Sequence, residues 1–311
     1  MQEMFEKLPE KFHVTNVQAA TIWTNPQAPR PADEAGISNP TDIANWVNSL
    51  TYEQSLALCD DNLVQSQTLY GEPVVVLEES EAWAQMIAPF QASKKDPRGY
   101  PGYIPSSQLT PVTKKEWLQQ KYSVVTTADA WLEDTDKSKI MQLSYLTILP
   151  YTGENGTHVH VQTPSGRKQI VKEKTAIVSD GASFSSGSGT DIVTAVLPFI
   201  GLDYFWGGMS SFGYDCSGLA YAAHKANGYW IARDAGDQAA AGKEIAIDAI
   251  EPGDLLFFAY QEGKGRIHHV GIYQGEGNML HSPQTGKGVE ITSLQGTVYE
   301  KELCVARRYW R

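Results

Sequence analysis

At 311 residues the chain is too long for one ordinary hydrophobic core and asks for two or three domains. Its 41% apolar and 10% aromatic content is that of a globular protein and excludes a disordered one. A formal charge of −11 argues against nucleic acid or an anionic membrane as partner, and three widely separated cysteines (Cys59, Cys216, Cys304) suggest a reducing compartment without a disulfide framework.

The first fifteen residues hold no apolar signal-peptide core, and no stretch reaches the roughly 18 apolar residues of a membrane span. A cytoplasmic protein is expected, or a secreted one if a leader has been removed. Residues 1–112 read as a first module. Val14 to Trp23 has strand character, and the Pro-rich segment 25–40 reads as loop. Thr41 to Leu50 and Thr51 to Asp60 read as helices, with Ile43, Trp46, Val47 and Leu50 in one stripe and Thr51 with Gln54 as a capping box. Val74 to Leu77, Ala82 to Ile87 and the Gly-Tyr-Pro-Gly-Tyr-Ile-Pro stretch at 99–105 supply strands. Short strands with Gly and Pro turns resemble a bacterial SH3-like barrel, here with a helical insertion at about 38–60.

Residues 113–180 read as a second such module. Trp117 and Trp131, then Leu143 to Leu149, His158 to Gln162 and Lys168 to Val171, provide its strands. His158 and His160 share a strand face where two imidazoles suit a metal, but with no third ligand nearby exposed strand histidines are preferred. Residues 181–189 are Gly/Ser-rich and read as a linker. The last domain, 190–311, opens with a helix from Thr190 to Ile200.

Within it, an aromatic, glycine-rich approach delivers Cys216 to the start of a helix. Asp215 is a good N-cap, Leu219, Tyr221, Ala222, Ala223 and Ala226 make the helix mostly apolar, and Asn227 with Gly228 ends it. A cysteine in a first turn feels the positive end of the macrodipole, which favours a nucleophilic thiolate; the bland alternative is a buried thiol acting as a small hydrophobe. His224 lies more than two helical turns downstream and reads as structural, and Cys59 and Cys304 read as core thiols. Residues 255–260, 268–273 and 278–282 read as strands. A Gln274-Gly275-Glu276 loop makes the last two a hairpin with Tyr273 opposite Gly277, placing His269 across from His281. Cys216, His269 and His281 thus form a candidate triad: nucleophile, base, and the group that fixes the tautomer of the base. A one-residue slip would bring His268 instead and turn Val270 and Ile272 over.

Tyr-x-Trp-Gly-Gly, Asp-Cys-Ser-Gly-Leu, Pro-Gly-Asp-Leu-Leu-Phe-Phe, His-Val-Gly-Ile-Tyr and a downstream His-Ser, in this order, resemble the NlpC/P60 family of cysteine peptidases. With the upstream modules, the whole chain is similar to the YkfC-type γ-D-glutamyl-L-diamino acid endopeptidases (dipeptidyl-peptidase VI). The resemblance implies an α+β papain-like catalytic domain preceded by two small all-β SH3-like barrels, the first with the helical insertion. It implies Cys216 as nucleophile, His269 as base and His281 as third member, with Tyr204 and the Cys216 amide stabilising the oxyanion. It also implies that Asp215 meets the free amine of the substrate, that Ser217 meets the D-glutamate carboxylate, and that Tyr100 closes the end of the cleft. Relatives hold the same ammonium with an acidic residue of the first barrel; Gln65, Glu72 and Asp61 are the candidates for that position. Some relatives have a hydroxyl where this chain reads Arg233-Asp234-Ala235.

The expected activity is hydrolysis of the γ-D-glutamyl–diamino acid bond of murein peptides with a free N-terminal L-Ala, without metal or other cofactor. A wall-peptide binding protein with an inert papain-like domain, or an amidase or acyltransferase on the same scaffold, are the alternatives.

Overall fold

The computed structural model describes residues 5–179 and 186–311, so most of the expected 181–189 linker lies outside the described residues. By compactness the chain divides into two units. One comprises residues 5–90, 98–179 and 210–212, the other Gln91–Pro97, 186–209 and Gly213–Arg311.

The first unit contains two seven-stranded sheets in which every pairing is antiparallel. The spatial order of the first is Val64–Leu69, Ala19–Trp23, Tyr100–Pro105, Trp83–Ala88, Pro73–Glu79, Lys11–Thr15, Leu109–Thr113. That of the second is Lys139–Gln142, Trp131–Glu133, Gly166–Val171, His158–Thr163, Ile148–Glu154, Lys121–Val125, Thr175–Ser179.

Helices Ile43–Ser49 and Tyr52–Asp60 form where the caps and the apolar stripe place them: the Gln54 amide donates to Thr51 Oγ1 and the Thr51 amide to Gln54 Oε1, closing the capping box. The Pro-rich segment is more than loop. It makes a 3-10 turn at Pro31–Asp33 and a helical turn at Glu34–Ile37. Asp33 anchors that turn, accepting from the Arg30 guanidinium at 2.8 and 2.9 Å and from the Trp46 indole at 3.1 Å. Trp46 is fully buried against Trp23 and lies over Gly36, where any Cβ would meet its ring at 2.7 Å.

Three other expectations are corrected. The strand expected over Val14 to Trp23 is two, broken between Thr15 and Ala19. Trp117 ends a helical turn, Lys114–Trp117, started by a Thr113–Glu116 capping box. The strand expected at Leu143 to Leu149 begins only at Ile148, because Leu146 takes a left-handed φ of 64° in the preceding turn.

The second unit is built on a six-stranded sheet ordered Lys243–Ile245, Leu303–Arg308, Leu255–Ala259, Ile267–Gly275, Asn278–His281, Glu290–Ser293. Leu255–Ala259 is an unbroken apolar run because all five residues are buried; each such phenylalanine or leucine is worth about 1.5–3 kcal/mol. The Glu251-Pro252-Gly253-Asp254 turn launches it, with Gly253 at φ 91° and buried Asp254 held by Arg308 at 2.7 and 2.8 Å. Helices Gly189–Val196 and Cys216–Ala226 pack on this sheet. Two bulges matter. One leaves Cys304 unpaired between Leu303 and Val305, which turns this expected core thiol outward, and Cys59 is only half-buried. The other leaves His268 unpaired between Ile267 and His269.

Candidate functional site

The helix Cys216–Ala226 starts as its sequence dictates. Asp215 is the N-cap, its Oδ1 accepting from the Gly218 amide at 2.6 Å, and Gly228 ends the helix in the left-handed region at φ 79°. The glycines around Cys216 allow close approach: a Cβ on Gly218 would stand 2.0 Å from the Gly208 carbonyl oxygen, and one on Gly208 would stand 2.2 Å from that of Gly213. The Cys216 sulfur accepts a hydrogen bond from the Val270 amide, which sets the thiol against the strand Ile267–Gly275 beside His269.

The hairpin carrying the two imidazoles differs from the expected one by two residues. Its turn is Glu276-Gly277, with φ of 53° and 74°, the pair of left-handed residues a two-residue turn needs. Gly275 remains in the strand opposite Asn278, a bulge falls at Gln274, and Tyr273 faces Met279 rather than Gly277. Carried on, this register puts Gly271 opposite His281 and His269 one diagonal away. Because the shift is even, both histidines keep the same face. A side chain at 271 would collide with Met279, 2.6 Å from its sulfur. His269 Nε2 and His281 Nδ1 are 2.7 Å apart, and His281 Nε2 lies 2.9 Å from Thr292 Oγ1. His268, the bulged residue, turns away to stack on Tyr260 at 4.1 Å and to bond Glu302 at 3.0 Å.

Burial dominates the electrostatics. It pushes the Cys216 thiol up to about 12, reinforced by the Asp215 charge, against which the Val270 amide, Arg233 and the Ser217 amide favour the thiolate but lose. The first-turn position therefore does not by itself ionise the thiol. Burial, then the neighbouring His281 and His268, hold His269 well below 6.5, and burial lowers His281 to about 4. Burial thus disfavours the charged form of each of the three groups taken singly. A proton passed from sulfur to His269 creates both charges together, and their attraction offsets part of the burial cost.

Asp215 is more engaged than an N-cap. Its carboxylate also accepts from the Gly207 amide at 3.0 Å, from Ser217 Oγ at 3.1 Å and from both Arg233 terminal nitrogens at 2.7 and 3.2 Å. Arg233 is buried and also donates to Ser217 Oγ at 2.8 Å. Tyr204 is half-buried, its backbone bridged to Tyr214 and bonded to the Lys287 carbonyl at 2.9 Å. Tyr100 belongs to the first unit, where its hydroxyl is 3.5 Å from Gln65 Oε1; Gln65 Nε2 donates to Thr24 and Asn62. Glu72 accepts the Leu69 amide across its own turn, and Asp61 caps the helix Tyr52–Asp60.

Residues the sequence did not flag complete the picture. Tyr299 packs on both imidazoles, with ring centroids 5.4 Å from His269 and 5.2 Å from His281. It sits on the short helix Val298–Glu302, where only the tertiary fold brings it near them. His224 is buried, with Nδ1 donating to the Ala220 carbonyl at 2.8 Å, which agrees with a structural part. His158 is a correction: it is buried rather than exposed, because Glu133 at 3.2 Å and Thr157 at 2.8 Å satisfy both its nitrogens. His160 instead meets Asn155 at 3.3 Å. Among the described residues no helix is long and apolar enough to cross a membrane.

Comparison with known proteins adds the following. The profile of the NlpC/P60 family matches residues 201–308, and that of the YKFC SH3b2 domain matches residues 125–178. The chain is 46% identical to the gamma-D-glutamyl-L-lysine dipeptidyl-peptidase of Bacillus subtilis (strain 168), over 96% of this chain and 98% of that protein. It is 35% identical to the protein of the same name from Bacillus cereus, over 98% of this chain and 92% of that one. The crystal structure of an NlpC/P60 family protein from Bacillus cereus superimposes with a TM-score of 0.91 at 34% identity, covering 97% of this chain and all of the other.

Proposed function

The chain belongs to the NlpC/P60 family, and from that premise we propose that it is a cysteine peptidase cutting the γ-D-glutamyl–diamino acid bond of murein peptides with a free N-terminal L-Ala. It releases L-Ala-γ-D-Glu and serves the recycling of wall peptides. The observation that carries this is the Cys216 thiol held by the Val270 amide beside His269, whose Nε2 is committed to His281. Full-length likeness to two gamma-D-glutamyl-L-lysine dipeptidyl-peptidases supports the substrate class.

In this reading His269 Nδ1 takes the Cys216 proton as sulfur attacks the γ-carbonyl of D-glutamate. The oxyanion meets the Cys216 amide and the Tyr204 hydroxyl, donors worth on the order of 3 kcal/mol each in the transition state. His269 then protonates the leaving amine of the diamino acid, and water, deprotonated by the same imidazole, hydrolyses the thioester. Ser217 binds the D-glutamate carboxylate, and Tyr100 contributes to substrate selection. An ammonium reaching Asp215 must compete for Oδ2 with Arg233 and the Gly207 amide, so Asp215 acts on the amine in concert with Arg233. The two sheets of the first unit are SH3-like barrels, the first carrying the helical insertion.

Mass spectrometry of products from L-Ala-γ-D-Glu-L-Lys and its N-acetylated form, with Cys216→Ala as control, tests the proposal. Release of L-Ala-γ-D-Glu from the free peptide alone, lost in the variant, is expected. Equal cleavage of both peptides overturns the free-amine requirement, and cleavage by Cys216→Ala overturns the mechanism.

A further inference from the structure

The hydrogen bonds do not stop at His281. Thr292 Oγ1, 2.9 Å from His281 Nε2, lies 3.2 Å from Glu290 Oε1. Both residues belong to the neighbouring strand Glu290–Ser293, where Glu290 pairs with His281 and Thr292 with Met279. Glu290 stands 3.8 Å from His281 Nε2, too far for a direct hydrogen bond, so the threonine hydroxyl is the link.

We propose that Thr292 and Glu290 are positioning residues that select the tautomer of both imidazoles and so leave His269 Nδ1 free as the base. This rests on the peptidase reading above for its consequence, but not for its geometry. An ionised carboxylate only accepts, so the Thr292 hydroxyl gives its proton to Glu290. The hydroxyl oxygen then accepts, and His281 must present Nε2–H. A neutral imidazole carries one N–H, so His281 Nδ1 is bare. It faces His269 Nε2 at 2.7 Å, which must therefore be the donor. His269 is left with a lone pair on Nδ1, the one nitrogen able to take the thiol proton. In the reverse arrangement, His281 Nδ1–H donates to a bare His269 Nε2, and His269 Nδ1 already holds a proton. The two arrangements have the same ring positions; the acceptor at the far end decides between them. The Glu290 side chain is 43% exposed, so solvent reaches its carboxylate.

Nitrogen-resolved NMR of histidine-labelled protein reads the tautomers directly. Expected in the unsubstituted protein are His269 and His281 both protonated on Nε2. Thr292→Val keeps the size and the β-branched shape that suits a strand, and should give mixed tautomers with kcat lowered by about 10- to 100-fold and KM unchanged. Thr292→Ser should restore both signals, and Glu290→Gln should give a smaller loss. A wild-type spectrum or wild-type kcat in Thr292→Val, or an Nδ1 proton on His269 in the unsubstituted protein, overturns the proposal. Activity surviving in Cys216→Ala would instead sink the peptidase reading while the spectra still decide the tautomers.

Discussion

The strand His158–Thr163 and the hairpin formed by Ile267–Gly275 and Asn278–His281 each bring two histidines to one face of an antiparallel sheet, with opposite outcomes. His158 and His160 are two residues apart on one strand, so their Cα atoms lie about 7 Å apart. Each turns to its own partners, Glu133 and Thr157 for one and Asn155 for the other. His269 and His281 come from different strands on a diagonal, and their nitrogens meet at 2.7 Å. One imidazole can orient another only when their nitrogens meet, as those of His269 and His281 do and those of His158 and His160 do not.

The largest test of this contrast is substitution. Cys216→Ala and His269→Ala should each lower kcat by about 10⁶-fold, the loss seen when a nucleophile or its base is removed. His158→Gln should leave turnover of the murein peptide unchanged, and a fall there would break the distinction. His281→Ala should cost about 10²- to 10⁴-fold in kcat, because the base loses the group that sets its tautomer. His281→Asn, which keeps an acceptor, should lose less; equal kcat in Ala and Asn variants would argue that His281 only fills space.

The pH profile sharpens the comparison further. The base must be neutral to act, and the burial that lowers His281 to about 4 also holds His269 well below 6.5. As pH falls through 6.5, kcat/KM should therefore persist, and it should be lost only well below that pH; an acid limb centred at 6.5 would contradict the burial argument.

The smallest effect concerns His224, buried on the helix Cys216–Ala226 with Nε2 unpartnered and a pKa lowered to about 4. Its depressed value means that the unfolded chain binds a proton the folded one refuses. Stability is thus full above pH 6.5 and falls between 6.5 and about 4, by up to about 3 kcal/mol. Denaturant titrations of His224→Leu at pH 7 and pH 4.5 should show a smaller acid loss than the wild type; an identical loss would exclude His224 as a source.

Much of the local structure was legible in the chain. Capping boxes at Thr51 and Thr113, the N-cap at Asp215 and the left-handed Gly228 are short-range devices whose donors and acceptors lie within one turn of each other. At Thr113 this device starts a helical turn that ends in Trp117, a residue type whose aromatic ring favours a strand. The common face of His269 and His281 was also legible, since alternation along a strand has period two and survives an even shift of register. Their diagonal offset was not. It follows from the Glu276-Gly277 turn and the bulge at Gln274, and several placements of such devices suit the same residues.

The sequence by itself determined the helix that starts at Cys216, the strands that carry His269 and His281, and the motifs that mark the family. Only the tertiary structure decided the rest. It engaged Asp215 with Arg233, brought Tyr299 onto both imidazoles, and tied His281 through Thr292 to Glu290. It also surrounds Cys216 with groups of opposing effect: burial and the Asp215 charge push the thiol up, while the Val270 amide, Arg233 and the Ser217 amide favour the thiolate. Those contacts join segments distant in the chain, and no local pattern records the packing that brings them together.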